Sequence, residues 1–283
     1  MNSSSKQKMA VLAAKIRIGI IESTFSAQSG HPGGSLSMAD FMAYLYGEHI
    51  NVDCKNPKWE GRDRFVLSKG HASPCLYSTL ANCGFFPVDL LKTFRHPGSI
   101  LQGHPDMKGV PGVDMSTGSL GQGISAAVGM AISAKKSGES WRVYTVLGDG
   151  ELQEGQVWEA AMFAAHKKLD NLCVVVDNNN LQIDGALDEV NSPYPIDEKF
   201  AAFGFNVINI DGHNFDEIED ALDQATAYKE KPTAIIMKTI KGKGVSFMEN
   251  LSSWHGVAPN KEQYETAMTE LNAQLAAAEG GNK

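Results

Sequence analysis

The apolar run Val143-Tyr144-Thr145-Val146-Leu147 ends in Gly148-Asp149-Gly150, and a second run, Leu172 to Val176, ends in Asp177-Asn178-Asn179. Short runs rich in β-branched residues suit strands buried on both faces of a parallel sheet. Ligands of such sheets bind beyond the carboxyl ends of the strands. Asp149 therefore stands where a ligand would, and its flanking glycines let that ligand come close to the backbone. Asn179 follows 30 residues later, room for one helix and one strand, so its amide oxygen reaches the same edge from the neighbouring unit. Two hard oxygen donors at one point suit a cation such as Mg²⁺, which takes near-octahedral oxygen coordination shared with carbonyls, water and ligand phosphates. Alone, a GDG is a turn and an Asn run a loop cap; the pairing, each after an apolar strand, points to a metal-assisted phosphate site.

Histidine offers a second chemistry, because its ordinary pKa lies nearest neutrality and its ring can both give and take protons. Of the eight histidines, His31, His71, His104 and His255 lie in glycine- or proline-bearing loops (SGHPGG, SKGHASP, GHP, WHG), which singles them out. His49, His96, His166 and His213 are read as structural or surface residues. The KGKG at 241–244 lacks the spacing of a phosphate loop and is read as a mobile loop near the mouth of the site. Cys75 and Cys173 sit in apolar contexts that suit core packing.

These residues need a frame that brings distant loops to one edge. Apolar spacing near three and four predicts a helix over 8–26, stopped by the loop at 29–34. Helical patterns recur over 38–46, 120–134, 154–168, 215–228 and 261–278, and strands over 143–147, 172–176, 205–210 and 233–238. The stretch 51–118, broken by Gly, Pro and His, is left unassigned, and the closing GGNK is expected to fray. Strands alternating with helices predict an α/β fold: one doubly wound, mostly parallel sheet with helices on both faces, spanning residues 1–283 as a single domain. The 283 residues are 42% hydrophobic and carry 25 basic against 33 acidic side chains, a formal charge of −8. That balance disfavours nucleic acid and anionic membranes as partners, so an anionic ligand would be neutralised by local donors. Four cysteines without C-x-x-C spacing, and no targeting or membrane-spanning stretch, predict reduced thiols and a cytoplasmic location.

The GDG with its later Asn pair resembles the thiamine diphosphate-binding motif. SGHPGGSLSMAD around His31, DRFVLSKGHASPCLY around His71, GHP around His104, STGSLGQG around Gly121, GDGELQEGQVWEA around Asp149, DNNNLQIDG around Asn179 and KTIKGKGVSFMEN with the WHG at His255 together resemble transketolase. The match runs in the family's order over nearly the whole chain, and it is to the N-terminal, diphosphate-binding domain. The resemblance implies that Asp149, the side chain of Asn179 and the carbonyl of Leu181 hold Mg²⁺. It further implies that His71, Gly150 and His255 bond the diphosphate, with Ile183 packed beside the cofactor and Gly118, Leu120, Gly148 and Glu154 completing its surroundings. His31, His104 and His255 would serve the donor sugar near the reacting carbons, and Glu154 and Glu159 would reach toward a subunit interface. Ser119 stands where the family often has proline. The implied activity is two-carbon ketol transfer from a ketose phosphate to an aldose phosphate. It would be active only with a partner polypeptide carrying the pyrimidine-binding and C-terminal domains, in a heterotetramer. The rival readings are a subunit of another thiamine diphosphate enzyme, such as a 1-deoxyxylulose-5-phosphate synthase, a dihydroxyacetone synthase or a 2-oxo acid dehydrogenase, and a non-catalytic regulatory subunit.

Overall fold

The computed structural model describes residues 1–280. Helix α1 (Ser3–Ala27) starts at Asn2, whose side chain accepts from the Ser5 N–H at 2.9 Å, and it ends where Gln28 turns left-handed at φ 47°. The stretch 29–34, expected to be a loop, is one only in part. Pro32 takes the first helical position, where its fixed φ and missing N–H cost nothing, and opens the short α2 (Pro32–Leu36). After α3 (Ala39–Tyr44) comes the stretch left unassigned above, which holds β1 (Arg64–Leu67) and α4 (Ser73–Asn82). Both escape periodicity for a physical reason. β1 has only four residues, and α4 is buried at every position from Ser73 to Ala81, so no polar face alternates with an apolar one.

The predicted alternation follows: α5 (Gln122–Ser137), β2 (Val143–Gly148), α6 (Gly155–His166) and β3 (Leu172–Asn178). A small hairpin, β4 (Leu181–Gln182) and β5 (Gly185–Ala186), and two short helices, α7 (Leu187–Val190) and α8 (Ile196–Ala202), come next. The chain then runs through β6 (Asn206–Asp211), α9 (Phe215–Ala227), β7 (Thr233–Lys238) and α10 (Lys261–Gly280). Gly280, expected to fray, closes α10; the remainder of GGNK, 281–283, lies outside the described residues.

The main sheet has five parallel strands in the order β1-β2-β3-β7-β6. Its period-two alternation splits the apolar residues between two cores. Cys173 and Val175 of β3 face α1, α3, α4 and α9, whereas Leu172, Val174 and Val176 face α5, α6 and α8. The chain leaves β3 for the α5 face, while the segment after its neighbour β7 contributes Val245, Met248 and Trp254 to the α1 core. Adjacent connections that diverge in this way open a crevice at the carboxyl edge. Among the described residues no helix is long and apolar enough to cross a membrane.

Close packing of α5 gives a test. A Cβ on Gly123 would lie 2.6 Å from the Ser68 Cα, whereas one on Gly129, two turns on, would meet nothing within 4 Å. Gly129→Ala is expected to stabilise the chain by up to ~1 kcal/mol through helix propensity, and Gly123→Ala to destabilise it by about 1–3 kcal/mol through overpacking. Thermal unfolding of the two variants checks the opposite signs.

Candidate active site

Two strand ends build the floor of a cavity of about 390 Å³ at the carboxyl edge. Asp149 follows β2 and is buried; its Oδ1 accepts from the Gly150 N–H at 2.8 Å and its Oδ2 from the Asn180 N–H at 2.6 Å. Asn179 follows β3, donates from Nδ2 to Asp177 Oδ2 at 3.2 Å and accepts from the Leu181 N–H at 3.2 Å. These bonds fix the Asp149 carboxylate and the Asn179 amide, and both residues line the same cavity as Leu181. Burial pushes the Asp149 carboxyl up to about 7, and the nearby Asp177 charge adds to the effect. A cation beside it would reverse that cost. Among the described residues no group of three His, Cys, Asp or Glu side chains could hold a metal by itself. A metal here would need amide, carbonyl and ligand oxygens, which is the donor set that Asp149, Asn179 and Leu181 offer.

Two lysines to which the sequence reading gave no role in the site supply the positive charge. Lys69, almost fully buried after β1, donates to the Gly34 carbonyl at 2.7 Å and pairs with Asp177. Asp177 also accepts from the Ser37 hydroxyl at 2.5 Å and from Thr239. Burial alone would raise Asp177, but Lys69 and the hydroxyls outweigh it and hold this carboxyl below its ordinary range. Lys241, 1% exposed, donates to the Leu181 carbonyl at 3.1 Å and lies 3.0 Å from His255 Nδ1. Burial brings its ammonium down to about 8. The reading of the KGKG as a mobile loop at the mouth is thus corrected: Gly242 and Gly244 adopt φ of 79° and 93°, fold the segment tightly and turn Lys241 inward. A lysine just past an apolar strand and flanked by glycine was the available signal. Glu151, also missed, is buried and ties three loops together, accepting from Ser68 at 2.5 Å, from the Gly121 N–H at 2.9 Å and from the Gly148 N–H at 3.0 Å.

The imidazoles of His31, His71 and His255 form a triangle with ring centroids 5.1 to 5.4 Å apart. Burial lowers His31 to about 4, with Arg95 adding, and His255 to about 3, with Lys241 adding; His71 falls far below its ordinary value for the same first reason. All three rings are neutral at pH 7, able to donate or accept a hydrogen bond while the ammonium groups carry the charge. His31 Nδ1 is buried without a partner among the described residues, an unused polar valence in a residue that lines the cavity.

His31, His71, Gly118, Leu120, Gly148, Asp149, Gly150, Glu154, Asn179, Leu181, Ile183 and His255 all line this one cavity. His104 does not. It is exposed at the rim, where a Cβ on Gly118 would lie 3.3 Å from its Cδ2, and its carbonyl accepts from Tyr77 at 2.9 Å. Ile183, at the tip of the β4–β5 hairpin, leaves 63% of its surface open; Glu154 and Glu159 are exposed as well. His49, His96 and His213 make ordinary hydrogen bonds outside the cavity, and Cys75 and Cys173 are buried thiols. A larger groove of about 1240 Å³ lies alongside, at the ends of β3, β6 and β7. It shares only Asn179 with the smaller cavity, which alone gathers the imidazoles, the buried Lys241 and Asp149.

The family described as "Transketolase, thiamine diphosphate binding domain" matches residues 8–276. A 6-deoxy-6-sulfo-D-fructose transketolase subunit of Clostridium sp. (strain MSTE9) is 48% identical over 245 residues, 87% of this chain and 89% of the relative. An apulose-4-phosphate transketolase subunit of Phocaeicola vulgatus is 40% identical over 261 residues, 92% of each. The transketolase of Homo sapiens is 42% identical over 277 residues, 95% of this chain but 43% of the relative. Among solved structures, transketolase from Campylobacter jejuni superposes with a TM-score of 0.87 at 35% identity, covering 100% of this chain and 47% of that one. The chain thus spans nearly all of the two shorter relatives and less than half of the longer transketolases.

Proposed function

The chain belongs to the transketolase family, to its thiamine diphosphate-binding domain, and on that premise we propose that it is the diphosphate-binding subunit of a two-polypeptide ketol-transferase that uses Mg²⁺. The observation that carries this reading is the single cavity in which the metal donors, a buried ammonium and three neutral imidazoles meet. When bound, the cofactor supplies the electron sink that breaking a carbon–carbon bond beside a ketose carbonyl requires. Asp149, Asn179 and the Leu181 carbonyl would hold the metal. Lys241, His71 and His255 would bond the diphosphate oxygens, whereas the Gly150 N–H that the resemblance assigns to them is held by Asp149 Oδ1; local charge of this kind serves an anion on a protein of net charge −8. Gly148 keeps the floor close to the backbone, and Gly118, Leu120 and Ile183 would border the rings. His31 and His104 would hold the sugar hydroxyls, His31 carrying a ring nitrogen that no other described residue engages.

Glu154 and Glu159, exposed near the cavity, would face a partner polypeptide that brings the pyrimidine-binding and C-terminal domains. The names of the two shorter relatives, each called a subunit, and their matching lengths support that arrangement. Closed twofold symmetry would then give a heterotetramer, and unpaired thiols suit a reducing cytoplasm. Ketose and aldose phosphates are the proposed substrates. The test is turnover of the assembled protein with xylulose 5-phosphate and an aldose phosphate acceptor, set against pyruvate: transfer from the ketose supports the reading, and turnover of pyruvate alone overturns it. In the same assay, His104→Ala is expected to lower kcat/KM by about 100-fold. Thiamine diphosphate affinity, measured by titration, should stay at the wild-type value, because His104 lies at the rim and outside the cavity that would take the diphosphate.

A further inference from the structure

His213, which the sequence leaves among the structural or surface residues, links a buried ion pair to the segment that carries Lys241. Asp40, in the first turn of α3 and 7% exposed, receives on Oδ2 both Arg17 Nη2 at 2.5 Å and His213 Nδ1 at 2.7 Å. On its far side, His213 Nε2 accepts from the backbone N–H of Ile240 at 2.9 Å. A backbone N–H can only donate, so Nε2 presents a bare lone pair and the ring proton sits on Nδ1, facing the carboxylate. The neutral Nδ1–H form is the one tautomer that satisfies both neighbours. Arg17 extends the same grip, donating from Nε to the Lys243 carbonyl at 3.1 Å. Between these two anchors lie Lys241 and Gly242. The Gly242 N–H donates to the Gly33 carbonyl at 3.0 Å, and a Cβ on Gly242 would stand 2.3 Å from the Met248 carbonyl oxygen. The approach of the His213 loop is equally specific, since a Cβ on Gly212 would lie 2.6 Å from Thr239 Cγ2.

We infer that His213, oriented by Asp40 and Arg17, is a positioning residue that fixes the Ile240 amide and thereby sets the Lys241 ammonium at its place between the Leu181 carbonyl and His255. This rests on the reading of Lys241 as a diphosphate ligand. The bond to Ile240 makes His213 part of the site at one remove: without that acceptor the amide is unpaired, and the backbone entering the Lys241 turn can rotate away. Removing an acceptor from a partly buried donor costs enough to lower ligand affinity by about tenfold when the ligand selects the held conformation.

Three substitutions separate this role from packing. His213→Gln keeps an acceptor near the Nε2 position, His213→Asn keeps a donor near Nδ1 but no acceptor for Ile240, and His213→Leu removes both. In the full chain without cofactor, amide hydrogen exchange at Ile240 is expected to quicken in His213→Leu and His213→Asn and to stay near wild type in His213→Gln. Titration with thiamine diphosphate and Mg²⁺ should follow the same order, with about tenfold weaker binding in His213→Leu. That loss should vanish in a Lys241→Met background, where there is no ammonium left to position. Equal Ile240 exchange in all variants, or a His213→Leu loss that persists undiminished beside Lys241→Met, overturns the inference. Should His213→Leu not fold, the His213→Asn and His213→Gln pair decides the same question. If the wild-type chain shows no Mg²⁺-dependent binding either alone or assembled with its partner polypeptide, the reading of the site fails, while the exchange ranking still decides whether His213 holds Ile240.

Discussion

Asp149→Ala is expected to abolish Mg²⁺-dependent binding of thiamine diphosphate, weakening it by about 100-fold or more, since even residues one shell beyond a metal's ligands commonly cost 10- to 100-fold. Asp149 is the one carboxylate in the predicted ligand set of Asp149, Asn179 and the Leu181 carbonyl. Without it a divalent ion keeps only neutral protein donors, and the diphosphate loses the charge that offsets its own. Asn179→Ala should act in the same direction. Loss of the fold is the competing explanation, and Asp149→Asn is the milder variant that separates the two: it keeps the side chain's size and an acceptor for one of the Gly150 and Asn180 N–H groups, bonded at 2.8 and 2.6 Å, while its NH₂ faces the other. The sign of its effect on stability can be worked out. Burial raises the folded-state pKa of Asp149 from 3.8 to about 7, so in the metal-free chain the folded state holds its proton where the unfolded state has lost it. Stability from this group is full below its ordinary value and falls as pH rises through the window up to about 7. The metal-free wild-type chain should therefore lose more melting temperature between about pH 4 and pH 8 than Asp149→Asn, which has no proton to lose there and should bind no cofactor. Isothermal titration and thermal melts on the same preparations check both halves. Unchanged Mg²⁺ dependence in Asp149→Ala would remove Asp149 from the metal.

The second large effect concerns these 283 residues by themselves. Purified alone, the chain is expected to show no two-carbon transfer, below about one part in 10³ of the activity it gains with its partner polypeptide; placing reacting groups at one site contributes effects of this size or larger. The cavity offers imidazoles, ammonium groups and metal donors, which the proposed function gives to the diphosphate, the metal and the sugar. Thiamine chemistry also needs a carboxylate against the aminopyrimidine ring, and Glu151, the buried glutamate of this cavity, is already committed to Ser68, Gly121 and Gly148. The exposed apolar tip at Ile183 and the open Glu154 are left for a facing surface to cover. An assay with thiamine diphosphate, Mg²⁺, a ketose phosphate and an aldose phosphate, run on the chain alone and then with a candidate partner, decides it. Full activity from the isolated chain would overturn the two-polypeptide reading.

How much of this was legible beforehand depends on whether the determining interaction was local. The strands ending at Gly148 and Asn178 announced themselves through β-branched runs, and the GDG and Asn pair through their spacing, because a strand's carboxyl end and the loop that follows are set by neighbours in the chain. Twelve of the thirteen residues assigned to cofactor, metal and sugar line one cavity, since each stood next to such a strand end or a glycine turn. His104 fell at the rim, because where a long loop lays its side chains depends on what it packs upon, here Gly118 and Tyr77.

The amino-acid sequence by itself determined the α/β class, the edge of the sheet that carries the chemistry and the oxygen donors for a metal, all consequences of pattern and short-range geometry. Only the tertiary structure decided which charges are buried. Lys69 meets Asp177 across 108 residues and His213 meets Asp40 across 173, and nothing local to a lysine or a histidine tells whether a carboxylate will arrive from another element. It also decided protonation: three of the four imidazoles marked as proton carriers, His31, His71 and His255, are held neutral by burial, and the positive charge passes to Lys241. The physical reason is that desolvation and ion pairing depend on the packed surroundings of a group in three dimensions, whereas helix and strand patterns depend chiefly on residues a few places along the chain.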